Sequence, residues 1–144
     1  MWDDKIKMTF ENFEHKADIG VRGMGKTIEE AFQEAAKAMF SIECNLEKVK
    51  KVKKVKISCS AENVEELFVE WLNALLAQSS VHEMMFSEFR VEIENNKLKG
   101  EALGEKLNKN QELKTEIKAA TYSQLKVFED RKNKRFIAQC IVDV

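Results

Sequence analysis

Three segments far apart in the chain carry ionisable side chains inside otherwise apolar, strand-like stretches. They are His15-Lys16-Ala17-Asp18-Ile19-Gly20, Thr115-Glu116-Ile117-Lys118-Ala119-Ala120-Thr121-Tyr122 and the closing Val142-Asp143-Val144. A charge among residues that favour burial costs free energy unless something pairs or coordinates it. If the fold joins Asp18, Lys118 and Asp143, they form one charged cluster with the terminal carboxylate of Val144 beside it. Two aspartates and that carboxylate are hard oxygen donors that can start the shell of a divalent cation, with water completing it. Against this stands an aspartate that only solubilises a strand end, and spacing alone favours that blander role. His15 lies three residues before Asp18, where it either orients the aspartate or is an ordinary half-buried histidine. Lys118 either neutralises the aspartates and contacts phosphate or sits on a solvated sheet face.

Other chemistries find less support. Ser123 and His15 are present, but no nucleophile-elbow glycine pattern surrounds the serine. No GxxxxGK[ST] or GxGxxG run occurs, and Gly20-Val-Arg-Gly-Met-Gly lacks the lysine and hydroxyl of a phosphate loop. A free-standing enzyme is therefore not expected. Cys44, Cys59 and Cys140 form no CxxC pair, so zinc is not expected and buried thiols in a reducing compartment are. Residues 48–56 read Lys-Val-Lys-Lys-Val-Lys-Lys-Val-Lys. That run is either a phosphate-binding ribbon or an edge strand whose lysines deter edge-to-edge pairing. The second is favoured, because no aromatic interleaves for base stacking. Net charge is −1, with 24 basic against 25 acidic residues, so no global field would hold a nucleic acid.

The elements that must position these residues follow from periodicity. Strands are predicted at 8–13 and 16–22, the second broken by Gly23 and Gly25. Thr27 with Glu30 is a capping box for a helix to about Phe40, striped by Ile28, Phe32, Ala35 and Met39. A strand runs through Val55, Ile57 and Cys59. Asn63 with Glu66 starts a second helix to about Gln78, its apolar stripe centred on Trp71. Phe89, Val91 and Ile93 alternate, Asn95-Asn96 turns the chain, and 98–103 returns. A polar loop is expected at 104–113, then strands at 115–122, 124–129 and 135–143, the last two joined by a turn at 130–134. Two helices among seven or eight strands give an α+β fold, a single domain over 1–144. Its mixed, mostly antiparallel sheets should carry the two main helices on one side. At 144 residues with 44% hydrophobic and 34% charged side chains, the chain can bury a core without disulfides or a structural metal. Neither a signal-peptide pattern nor a run of about 18 apolar residues appears, so a cytoplasmic protein is expected.

These segments resemble the archease family. The matching pieces are 15–20, the helix Glu70-Trp71-Leu72-Asn73-Ala74-Leu75-Leu76, Gly100-Glu101-Ala102, Gly104-Glu105, Thr115 to Tyr122 and Asp143-Val144, in family order. The resemblance implies a non-enzymatic accessory protein of tRNA splicing or RNA repair. It would promote guanylylation and turnover of a GTP-dependent, RtcB-family RNA ligase, touching RNA only indirectly. A second association is as chaperone or modulator of a tRNA methyltransferase; the competing class is an RNA-binding module using Lys48 to Lys56. The resemblance further implies a bound divalent metal ion, calcium before magnesium or manganese, with Asp18, Asp143 and Val144 as ligands. Lys118 matches the family's essential lysine, and His15 would stand behind the metal ligands. The chain departs from the family pattern at Lys16, where threonine is usual, and at Gln111 and Ser123, where many members carry histidine.

Overall fold

Both helices begin on caps that the sequence supplies. In the computed structural model, which describes residues 9–15 and 18–144 and only the backbone of Glu14 and His15, helix α1 spans Ile28–Glu43 and α2 spans Val64–His82. Thr27 Oγ1 accepts from Glu30 N–H at 3.1 Å, and Asn63 Oδ1 from Glu66 N–H at 2.8 Å. Each bond satisfies a donor that the first turn leaves without a helical partner. Both helices run further than predicted, past Phe40 to Glu43 and past Gln78 to His82.

The strands are β1 (Thr9–His15), β2 (Asp18–Gly25), β3 (Lys53–Ser60), β4 (Met84–Glu94), β5 (Lys97–Lys106), β6 (Ala119–Ala120), β7 (Lys126–Asp130) and β8 (Arg135–Asp143). They form two sheets, and every pairing among the described strands is antiparallel. One has the order β1-β2-β8-β6, with β7 also on β8; the other has β3-β5-β4. Helix α1 packs on β2 and β8 of the first sheet and on β4 of the second, and α2 packs on β3 and β4 and touches β6. The helices thus lie against one face of each sheet. Trp71 joins the layers: its indole N–H donates to Phe32 O of α1 at 3.1 Å, and its ring stands edge-on to Phe89 of β4. Asn95 and Asn96 both take positive φ, 52° and 58°, which closes the β4–β5 hairpin as expected. Among the described residues no helix is long and apolar enough to cross a membrane.

Three expectations are corrected. Gly23 and Gly25 do not break β2; they are the positions where α1 comes closest to it. A Cβ on Gly23 would stand 2.1 Å from Ala31 O and 2.2 Å from Ala35 N, and one on Gly25 would stand 2.5 Å from Glu30 Cβ. The predicted loop at 104–113 begins as strand, since β5 continues to Lys106, and a single 3-10 turn follows at Lys109–Gln111. Of the strand predicted at 115–122 only Ala119–Ala120 pairs as a strand. The residues before it spend their N–H groups elsewhere, as described below. Lys16 and Ala17, at the start of the strand predicted at 16–22, lie outside the described residues.

The contact at Gly23 is with helix backbone, which cannot swing aside. Gly23→Ala should therefore cost about 1–3 kcal/mol or more, read from the urea midpoint. Gly20→Ala should cost less, because the atoms nearest a Cβ there are the far end of the Phe13 side chain, which can swing away about χ1.

Candidate functional site

Antiparallel register brings the sequence-predicted aspartates to one end of the first sheet. Ile19 of β2 pairs with Val142 of β8, both on the face toward the helices. The next position on each strand is Asp18 and Asp143, which therefore oppose each other on the outer face. Residues so placed have Cβ atoms about 5 Å apart. Asp143 is exposed and Asp18 half-buried. On the other side of β8, Ala119 pairs with Asp143, and Lys118 N–H donates to Asp143 O at 2.8 Å. The backbone thus sets Asp18, Asp143, Val144 and Lys118 along one sheet end. On the backbone of β1, His15 pairs with Asp18. The premise of buried charge does not hold at Lys118 and Asp143, both of which are exposed.

The segment carrying Lys118 is held by side chains from both helices. Lys114 N–H donates to Glu43 O (2.8 Å) and Ile117 N–H to Glu43 Oε2 (2.9 Å), at the last residue of α1. Asn73 of α2 then serves β6 as a neighbouring strand would. Its Oδ1 accepts from Ala120 N–H at 2.8 Å and its Nδ2 donates to Ala120 O at 3.2 Å. Backbone groups near the interior must be paired somewhere, and here two side chains pair them.

Beside the aspartates the outer face carries Phe13, Gly20 and the buried Ile141, and beyond them a polar group around Arg22. Gly20 leaves room for the Phe13 ring, and Arg22 lies over that ring, 4.6 Å from its centroid. Arg22 Nε donates to Gln139 Oε1 at 2.9 Å, and its guanidinium pairs with Glu11.

As a donor set, two aspartates and the main-chain oxygen of Val144 suit a hard cation. Facing carboxylates repel, and a cation between them removes that repulsion. Among the described residues no three His, Cys, Asp or Glu side chains are gathered to hold an ion, so this pair would rely on main-chain oxygen and water.

Glu43 is the residue that sequence reasoning missed. It is 6% exposed, and burial, with Glu116 nearby, raises its pKa from 4.5 to about 7 against the lowering bond from Ile117. A signal existed: it lies four residues after Met39 and three after Phe40, on the buried face of α1. Nothing in the sequence around Asn73 marks it out from the rest of α2. Gln111 is fully buried and spends its carboxamide on local structure, donating to Lys106 O (2.8 Å) and accepting from Asn108 N–H (3.2 Å). Ser123 contributes its carbonyl, which accepts from Ile141 N–H at 3.1 Å. The latter part of the lysine run, from Lys53, lies in the edge strand β3; Lys51, just before it, pairs with Glu88 (3.0 Å) and Lys54 with Glu101 (3.4 Å). The three cysteines are free thiols, and burial pushes Cys44 and Cys59 to about 11 and Cys140 to about 12, far from nucleophilic range.

The fold and this edge define a class: a small α+β protein with two antiparallel sheets and a conjunction of acidic strand ends beside a lysine. The model of the Archease protein family (MTH1598/TM1083) matches residues 10–144. Protein archease of Pyrococcus furiosus is 37% identical over 140 residues, covering 94% of this chain and 98% of that protein. That of Pyrococcus abyssi is 38% identical over the same shares. The solution structure of Methanobacterium thermoautotrophicum Protein 1598 superposes with a TM-score of 0.81 at 29% identity, over 94% of this chain and 98% of its own. The crystal structure of a Thermotoga maritima protein, described as an archease and possible chaperone, superposes with a TM-score of 0.62 at 24% identity, over 93% and 96%. This chain belongs to the archease family.

Two outcomes test the local physics. Asn73→Ala strips both partners from Ala120, so it should cost about 1–3 kcal/mol. It should also speed hydrogen exchange at the Ala120 amide more than at Ile141. A carboxyl whose pKa is raised by folding favours the folded state fully below 4.5, and that advantage is lost as pH rises through about 7. Relative to Glu43→Gln, the wild type should therefore lose about 3 kcal/mol between pH 4.5 and pH 8. Urea midpoints at the two pH values measure it.

Proposed function

We propose that this protein is an accessory factor of RNA end-joining that helps a GTP-dependent RNA ligase acquire its guanylate, without itself making or breaking the bond. The observation that carries this reading is the β2–β8 register, which sets Asp18 and Asp143 at facing positions with the Lys118 backbone tied to Asp143. Asp18, Asp143 and the main-chain oxygen of Val144 would hold a divalent cation, calcium in the first place. When bound, the ion would supply positive charge opposite the phosphates of a nucleotide.

The chain's own residues then have separable roles. Lys118 is exposed and extends the positive side of the edge, where it can meet phosphate oxygens. Asn73 and Glu43 act through the backbone, holding the 114–120 segment so that Lys118 keeps its place beside Asp143. The edge is open, so it can enter a partner's nucleotide site. A nucleic-acid-binding role for the 48–56 lysines fits less well, because two of them already pair with carboxylates along the sheet.

The test is guanylylation of a purified ligase of this class, with GTP and calcium or manganese. Wild-type protein should accelerate it, and Asp18→Ala, Asp143→Ala and Lys118→Ala should each remove at least about 1.4 kcal/mol of the effect, a factor of ten in rate. Full activation by both aspartate variants would sink the metal-edge mechanism. Steep salt-sensitive RNA binding by this protein alone, lost with the 48–56 lysines, would point instead to the nucleic-acid module.

A further inference from the structure

One recess among the described residues lies away from the aspartate pair. It is an open groove of about 900 Å³ between the C-terminal half of α2 and residues 113–118. Leu76, Met85 and Leu107 give it aliphatic walls, and Glu43, Glu83 and Glu116 give it carboxyls. Glu43 is more than nine-tenths buried; its Oε2 accepts from Ile117 N–H, while Oε1 has no hydrogen-bond partner among the described residues. Lys114 and Lys118 also line the groove, but both are exposed, and the charge that bears on Glu43 is the like charge of Glu116. A buried acceptor without a donor, beside the like charge of Glu116 and between alkyl walls, calls for a cation with N–H groups and a hydrocarbon body.

We infer that this groove is a binding site for a linear aliphatic diamine, one ammonium donating to Glu43 Oε1 and the methylenes lying along Leu76, Met85 and Leu107. An ammonium offers three donors and no acceptor, which matches the unpartnered oxygen of Glu43. The second ammonium falls to the rim carboxyls of Glu83 and Glu116. A carboxylate or phosphate ligand would meet repulsion at Glu43. The inference is independent of the ligase reading, since it uses neither aspartate.

The probe is 1,4-diaminobutane, titrated into the full chain and followed by amide chemical shifts. Saturable shifts should centre on Glu116 and Ile117. Affinity should be about tenfold higher at pH 8 than at pH 6, because the ammonium takes only the ionised form of a carboxyl titrating near 7. Of the other nearby groups, the Cys44 thiol is pushed to about 11, and His82 turns to Gln78 and does not line the groove. Glu43→Gln should lose at least about tenfold in affinity at pH 8 and flatten the pH dependence. Ala77→Trp, at an exposed position lining the groove, should block binding with Glu43 intact. Absence of saturable shifts in the wild type at millimolar diamine overturns the inference. So does pH-independent affinity, or unchanged binding in either variant.

Discussion

A stretch of chain that is neither helix nor sheet must still find partners for its backbone, and the functional edge depends on where residues 112–118, leading into β6, find theirs. The main chain and carboxylate of Glu43 take N–H groups at Lys114 and Ile117. The carboxamide of Asn73 takes both polar groups of Ala120, and β8 takes Lys118. Each bond by itself is worth only about 0.5–1.5 kcal/mol net. Together they convert an irregular segment into a fixed arm that lays Lys118 against the end of β8. The end of α1 and the middle of α2 are thus structural partners of the sheet edge as well as core elements.

The same economy runs through the contact between α1 and β2. Glycines at 23 and 25 let helix backbone approach strand backbone, which sets how deep α1 sits. That depth places Glu43 where it can reach Ile117. It also leaves one carboxylate oxygen of Glu43 buried without a partner among the described residues.

Much of this was legible in the chain because it is local. Thr27 and Asn63 are caps whose side chains act within one turn, and the Asn95-Asn96 turn needs only two residues that tolerate positive φ. The alternation of β8 was readable over its full length, from Arg135 to Asp143. The family resemblance was legible for a different reason: short runs of residue types recur in order across nearly the whole length. Where the reading failed, the deciding partner was remote. Residues 115–117 alternate like a strand yet pair with the end of α1, Ile117 with Glu43 74 residues away. Gly23 and Gly25 look like breakers until a helix is seen lying on them.

Sequence by itself determined the helix starts, the strand faces and the residue types at the edge: two aspartates, a lysine and a histidine. These follow from side-chain chemistry and from periods of 3.6 and 2, which act over a few residues. Only the tertiary structure decided that Asp18 and Asp143 stand at facing positions, because that is a matter of register between strands more than a hundred residues apart. It also decided that the buried carboxyl of consequence is Glu43. Burial is a property of what packs around a residue, and for Glu43 those neighbours come from β6's approach segment and α2.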